Sequence, residues 1–555
     1  MPVGGQSVPN FDYAMGKGVA KTFVKEFIKY TRMRVDILEE QGYELGEGAD
    51  ALIHSIKSTL MNYVTRTGRI MHSDGMHIAR VNLWDAFGKN VGSNIFDFAV
   101  EHATNETNKQ TYQAMEAFVH NLNTMNSRAG AQVPFSSINY GTDTSTEGRL
   151  IIRNVLLATD AGLGTGETPI FPIQIFKVME GVNYNEDDPN YDLFKLSMRV
   201  SAKRLFPNYS FIDATYNKAI YKEGRPETEI AYMGCRTRVA SNIYNRKNQV
   251  IYGRGNLSFT SINLPRIALE SGGDLEKFYK ILDSRLKLVH RQLLNRLAVQ
   301  SKKKAKNYPF LMGQGIWIDS DNLKPEDSVA EVIKNGTLTI GFIGLAEALT
   351  VLTGSHHGES EDAQKLGIEI VSYMRQYTDK ISKREKLNYS IIATPAEGLS
   401  GRFVNLDKKK FGIIKGVTDK EYYTNSFHVP VYFKINAFDK IRIEAPYHEL
   451  TNGGHITYVE MNGNPIHNLS AFEDIIRCMK ENNIGYGAIN HPVDRDCKCG
   501  YTGVIKDVCP QCGRPIEDDD SDVDHIRRIT GYLVGTTKKF NNAKRAEERD
   551  RVKHI

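Results

Sequence analysis

Apolar residues in the first third of the chain recur every three or four positions: Phe23, Phe27 and Tyr30 in one stretch, Met115, Val119 and Leu122 in another. Each set makes one stripe of an amphipathic helix, so this region reads as helical. From Ser127 onward the grain changes. Short β-compatible runs, Leu150 to Leu157, Ile170 to Val178 and Ser258 to Leu264, alternate with longer helical patterns. The clearest of these is Asp274 to Gln300, with Phe278, Ile281, Leu282, Val289, Leu293 and Leu297 on one face. Such alternation predicts an α/β architecture built on a buried sheet or barrel. After about Gly485 the pattern gives way to a Cys/Gly/Asp-rich tail with an acidic run at 517–524, a glycine-containing loop and a basic last helix. The charged runs read as solvated surface.

Composition narrows the function classes. With 555 residues, 41% of them hydrophobic and 25% charged, the chain can bury a large core. A formal charge of +5 gives no strong electrostatic pull toward nucleic acid. The N-terminal segment has neither the basic and apolar regions of a signal peptide nor the Arg/Ser-rich look of a transit peptide. The most apolar stretch, Leu338 to Leu352, is short, carries Glu347 and is interrupted by Gly341 and Gly344, so it cannot span a bilayer. The expectation is a soluble, cytoplasmic protein that acts without membrane or nucleic acid.

Four of the six cysteines fall between Cys497 and Cys512; the others are Cys235 and Cys478. That distribution suits a metal site in a reducing compartment rather than a disulfide framework. Cys497, Cys499, Cys509 and Cys512 stand as C-K-C-G, nine residues, then C-P-Q-C-G. Four thiolates on two tight turns would close one tetrahedral zinc, structural because no position stays open. An iron–sulfur or redox role is the alternative. What this zinc ribbon would hold up is the loop Arg527 to Thr536, with Gly531 and Gly535 at the ends of a short apolar run.

The loop R-x-x-G-Y-L at Arg528 to Leu533, behind a four-cysteine ribbon, resembles the glycyl-radical motif of the anaerobic, class III ribonucleotide reductases. Further stretches resemble the same family in order, among them YMGCRTRV at Tyr232, GRGNLSFTSINLPR at Gly253, TPAEGLSGRF at Thr394 and LTNGGHI at Leu450. The resemblance implies a ten-stranded α/β barrel, the reduction of ribonucleoside triphosphates, and a radical stored on Gly531. It implies that Cys235 passes its hydrogen to Gly531 and becomes the thiyl that attacks the ribose. It implies that Asn256 hydrogen-bonds the ribose hydroxyls, and that Thr394, Pro395, Ala396, Glu397 and Gly398 form the substrate-phosphate loop. A glycine suits a backbone radical because amide groups on both sides delocalise the electron, although a lone glycine otherwise reads as a turn. A lone cysteine otherwise reads as a small buried hydrophobe. The implied partners are a radical-SAM activase bearing S-adenosylmethionine and an iron–sulfur cluster, dNTP or ATP effectors, formate or a dithiol protein as reductant, and a second copy in a homodimer.

Three departures accompany the resemblance. The family carries, upstream of G-G-Q, a further barrel strand with a second cysteine, which this sequence does not contain. The expectation is therefore the large part of a split enzyme complemented by an N-terminal fragment, or a silent nucleotide- or partner-binding subunit. Residues from about 36 to 95 match nothing in the family and read as a helical insertion. The first cysteine pair is C-x-C where C-x2-C is expected. The expected division is an N-terminal helical region over 1–105, a catalytic barrel over 106–485, a zinc ribbon over 486–516 and a radical loop with terminal helix over 517–555. A formate-lyase type of glycyl-radical enzyme is disfavoured because Gly234 and Arg236 flank Cys235 where adjacent cysteines would stand.

Overall fold

The computed structural model describes residues 5–45, 48–125, 133–517, 522–529, 531–534 and 540–554. Thr530, Gly535 and Thr536 of the expected loop, and 518–521 of the acidic run, lie outside the described residues.

Two long helices, α1 (Phe11–Glu40) and α4 (Lys89–Thr124), pack together and carry between them a hairpin of α2 (Ala49–Thr67) and α3 (Ser73–Phe87). The segment from about 36 to 95 is thus helical and belongs to this four-helix unit. Its core face is the periodic one: Phe23, Phe27, Ile53, Ile56, Leu60 and Leu83 are all buried.

Six strands form one sheet in the order β1 (Gln6–Val8), β2 (Ser136–Tyr140), β3 (Ile173–Val178), β4 (Asn208–Phe211), β11 (Tyr486–Asn490), β10 (Thr457–Glu460). Strands β1 to β4 are mutually parallel, and β11 runs antiparallel to β4 but parallel to β10. A second parallel sheet comprises β7 (Asn256–Asn263), β8 (Thr337–Ile343) and β9 (Asn388–Ala393). Gly453 and Gly454 stitch the two together: Gly453 N–H donates to Ile391 O and Ala393 N–H to Gly454 O. Residues leading into β10 therefore lie parallel to β9. Among the described residues the wall has nine strands, four parallel in one half and five in the other, with the halves running in opposite directions. All residues of β3, β8 and β9 are buried, as expected of parallel strands covered on both faces.

Three expectations change. Leu150 to Leu157 is not a strand but part of helix α5 (Thr146–Ala161), whose N-cap Ser145 accepts from the Gly148 N–H. Its buried residues Ile151, Ile152, Val155, Leu156 and Thr159 follow the helical period, which a short apolar run could not distinguish from a strand. No boundary falls near 105, because α4 runs through it, β1 belongs to the wall and one apolar core joins the N-terminal helices to the sheet. The ribbon begins after β11, which is a wall strand; it consists of β12 (Val493–Asp496), β13 (Thr502–Gly503) and the cysteine turns. Among the described residues no helix is long and apolar enough to cross a membrane.

Candidate active site

Two hairpins meet tip to tip. The first consists of β5 (Tyr232–Met233) and β6 (Thr237–Arg238), with Gly234, Cys235 and Arg236 at its tip. It is strung between the two halves of the wall. On one side Asn139 clamps Tyr232, accepting from its N–H at 2.9 Å and donating to its carbonyl at 2.9 Å. On the other, the Arg238 N–H donates to Gly453 O and Arg236 Nη1 to Ala393 O. Gly234 takes φ +56°, a left-handed turn that lets the chain reverse.

The second hairpin is β14 (Val523–Ile529) with β15 (Tyr532–Val534), with Gly531 at its tip. Gly531 is buried at φ +101°, and a Cβ built on it would lie 2.5 Å from Cys235 Cβ and 2.7 Å from Cys235 Cα. The Gly531 Cα and Cys235 Cβ are therefore within about 4 Å, since a Cα–Cβ bond spans about 1.5 Å. Position 531 needs glycine twice over: for its backbone angle and for the absence of a side chain against Cys235. Cys235 itself is buried. The sequence-expected radical carrier and thiol are thus brought into contact.

Arg528 anchors the second hairpin. It is 2% exposed, stacks on Phe206, donates from Nη1 to Asn490 Oδ1 at 3.1 Å, and reaches Leu205 O from Nη2. Burial lowers its pKa to about 10, so it stays charged at neutral pH. The last helix, Asn542–Asp550, leads to Arg551, whose Nη1 donates to Arg528 O. Arg528 thereby ties the tail to the end of β11 and to Leu205, and Arg551 ties it to Glu460 at the end of β10.

Beside Cys235 a cavity is lined by Arg236, Thr424, His428, Tyr458, Glu547 and Arg551. Arg236 is 1% exposed, and its Nε and Nη2, the Tyr458 hydroxyl and His428 Nε2 have no hydrogen-bond partner among the described residues. Burial raises the Tyr458 pKa to about 12, so its hydroxyl keeps the proton. Below the hairpin, the Tyr232 hydroxyl is 2.9 Å from His455 Nε2, and Tyr232 stacks on Tyr486. Burial holds His455 well below the usual histidine range, and it is neutral. Sequence reasoning passed over Arg236, Tyr458 and Arg528 as site residues. Arg236, adjacent to Cys235, and Arg528, the first residue of the R-x-x-G-Y-L stretch, had a local signal; Tyr458 had none.

The 394–398 segment follows β9 and leads into the helix Leu399–Phe411. Thr394 Oγ1 lies 2.8 Å from Ser261 Oγ, the Ala396 N–H donates to Asn425 Oδ1, and the Glu397 N–H to Pro395 O. Asn256 is the first residue of β7, where it donates to Thr339 Oγ1 at 3.1 Å. Register pairs it with Thr337, at the end of the sheet away from Thr394, roughly 20 Å along the strand at about 3.3 Å per residue. Cys478 sits in the apolar core on the helix Leu469–Glu481, between β10 and β11.

The ribbon gathers three of the four expected thiols. Donor atoms of Cys499, Cys509, Cys512 and Asp496 all lie within 4.8 Å of one another. Cys497 does not join them; its Sγ faces Asp524 Oδ2 at 3.5 Å. The cause is local: Asp496 ends β12, and Cys497 is the first residue of the turn that the Gly500 N–H closes onto Asp496 O at 2.8 Å. β12 pairs with β14 from Asp496↔Val523 to Val493↔Ile526. The cluster thus sits at one end of β14 and Gly531 just beyond the other, about 20 Å away at 3.3 Å per residue. Such a site can brace the β14–β15 hairpin but does not reach its tip.

This two-halved wall, with a cysteine hairpin inside it and a C-terminal glycine turn against the cysteine, has the fold of anaerobic ribonucleotide reductases. A solved anaerobic ribonucleotide reductase matches with a TM-score of 0.59 at 18% identity over 90% of this chain and 76% of that one. A Thermotoga maritima enzyme solved in complex with dATP and CTP matches with a TM-score of 0.56 at 17% identity over 80% of this chain and 69% of that one. The chain belongs to the anaerobic ribonucleoside-triphosphate reductase family, whose profile matches residues 2–554. The Salmonella typhimurium anaerobic ribonucleoside-triphosphate reductase is 38% identical over 82% of this chain, and that of Enterobacteria phage T4 is 37% identical over 82%. The chain spans 63% of the Salmonella protein and 74% of the phage protein.

Proposed function

We propose that this chain reduces ribonucleoside triphosphates to deoxyribonucleoside triphosphates by glycyl/thiyl radical chemistry, with Gly531 as the radical store and Cys235 as the working thiol. The contact between the two hairpin tips carries this reading. An S–H bond is close in strength to the C–H bonds on either side, so a hydrogen atom can pass from Cys235 Sγ to the Gly531 Cα and back. The Cys235 thiyl takes the 3′ hydrogen of the ribose, and the 2′ hydroxyl leaves as water with one added proton. Formate (going to CO2) or a dithiol protein (going to a disulfide) supplies two electrons, a second proton ends on C2′, and Cys235 returns the hydrogen to C3′, which regenerates the thiyl. Burial of both tips keeps water and oxygen from the radical.

The cavity beside Arg236 is the place for the nucleotide, where the guanidinium and the Tyr458 hydroxyl offer donors to its oxygen atoms. The triphosphate reaches the 394–398 loop. With the Ala396 and Glu397 N–H groups already engaged, its contacts fall on Gly398 and the helix start that follows. Asn256 is a weaker participant, because β7 holds it at the far end of its sheet. One structural zinc sits in the cysteine ribbon, where three thiols and a carboxylate converge, and holds the outer end of β14.

The partners that follow are a radical-SAM activase, whose S-adenosylmethionine and iron–sulfur cluster generate the Gly531 radical, dNTP or ATP effectors, and a second copy of the chain. A reducing, cytoplasmic setting suits unpaired thiols. The test is Cys235→Ser in the activated protein. The glycyl radical should form at wild-type yield, because activation touches Gly531 directly, while deoxyribonucleotide formation falls at least a hundredfold, since an O–H bond is too strong to relay the radical. Retained turnover would contradict the assignment.

A further inference from the structure

The ribbon contains two turns of the same build. In the second, Cys509 and Cys512 are the expected ligands, Gly513 follows at φ +71°, and its N–H donates to Cys509 O at 3.0 Å. In the first, Gly500 follows Cys499 at φ +79°, and its N–H donates to Asp496 O at 2.8 Å. Superposed by these hydrogen bonds, Cys499 corresponds to Cys512, and the residue corresponding to Cys509 is Asp496. Asp496-x2-Cys499 repeats the spacing of Cys509-x2-Cys512, whereas Cys497 falls one position out of phase.

Distances agree with that correspondence. Tetrahedral zinc with Zn–S near 2.3 Å and Zn–O near 2.0 Å puts sulfurs about 3.8 Å apart and a sulfur about 3.5 Å from a carboxylate oxygen. Cys499 Sγ and Cys509 Sγ are 3.5 Å apart, and Cys512 Sγ is 3.6 Å from Asp496 Oδ2. The other carboxylate oxygen is engaged by its neighbours: Asp496 Oδ1 accepts from the Lys498 N–H at 2.9 Å and pairs with Arg514 Nη2 at 3.0 Å, while Oδ2 also accepts from Arg514 Nε at 3.3 Å. Arg514, from the second turn, offsets part of the negative charge that three thiolates and a carboxylate place on a divalent ion. Cys497 is exposed and aimed at Asp524.

We propose that Asp496, not Cys497, is the fourth ligand of the ribbon metal, making a site of three thiolates and one carboxylate and leaving Cys497 as a surface thiol. This rests on the reading of the ribbon as a zinc site. The carboxylate hardens the donor set relative to four thiolates.

The test uses the full chain purified with added zinc. Metal analysis should give about one zinc per chain, and alkylation followed by peptide mass spectrometry should modify Cys497 while Cys499, Cys509 and Cys512 stay protected until a chelator is added. Cys497→Ser should keep the zinc and the protection. Asp496→Asn should lose at least tenfold in zinc affinity, and Asp496→Cys should restore it, which separates ligand loss from misfolding. Protection of Cys497 together with zinc loss in Cys497→Ser would overturn the proposal while leaving the zinc site intact. A wild-type chain with no zinc and uniformly reactive cysteines would overturn both.

Discussion

At the scale of single residues, the site depends on a few side chains that are buried and hydrogen-bonded across elements. Arg528 is the clearest, a guanidinium surrounded by Phe206, Asn490 and Leu205 that fixes where the β14–β15 turn points. Removing it leaves Asn490 Oδ1 and the Leu205 carbonyl buried without their donor, at a cost of about 2–4 kcal/mol. Arg528→Ala should therefore speed amide hydrogen exchange across 523–534 and lower the radical yield severalfold. Arg528→Lys should not rescue it, because an ammonium lacks the planar fork that meets both acceptors. Exchange and radical yield unchanged in the alanine variant would show that the turn is held by other means. Gly531 and Cys235 were legible through their motifs. Asp496 was not, because counting cysteines satisfies the ligand number before the turn geometry is known.

At the scale of elements, strongly periodic segments were legible and short apolar runs were not. The pattern from Asp274 to Gln300 returns as the helix Leu275–Ser301 with Asp274 as its N-cap, and Ser258 to Leu264 returns in β7 up to Asn263, Leu264 opening the helix that follows. Leu150 to Leu157 went the other way because eight apolar-rich residues fit either period, and the Ser145 cap decided it. Elements also carry the pH response. Glu347, on the helix Leu345–Thr353, accepts from the Thr424 N–H and hydroxyl, and burial raises its pKa from 4.5 to about 7. Its folded form holds the proton more tightly than the unfolded chain does. Its contribution to stability is thus fully present below about pH 4.5 and is lost as the pH rises to about 7, roughly 3 kcal/mol in all. Glu347→Gln should flatten the denaturation midpoint across that window and stabilise the protein at pH 7.5. An unchanged pH profile would mean that another group sets it.

At the scale of the whole molecule, what the sequence hid is long-range contact. Nothing local announces that the tips of β5–β6 and β14–β15 meet, or that β1 completes a wall whose other strands begin beyond 135. One apolar core runs from Phe23 and Phe27 through Ile56 and Leu83 to Val155, Phe176 and Ile489. The N-terminal helices therefore fold with the wall and not as a separable unit. A chain shortened to 125–555 should expose that face and aggregate rather than melt cooperatively; a soluble, cooperatively melting fragment would refute the single-core account. The same contact of distant segments underlies the central claim, that Gly531 stores a radical exchanged with Cys235. The direct measurement is electron paramagnetic resonance of the full chain after anaerobic treatment with a radical-SAM activase, S-adenosylmethionine and a reductant. The account predicts a doublet that collapses to a singlet when the protein is made with α-deuterated glycine and is absent from Gly531→Ala. A doublet that survives Gly531→Ala, or one unaffected by deuterated glycine, would contradict it.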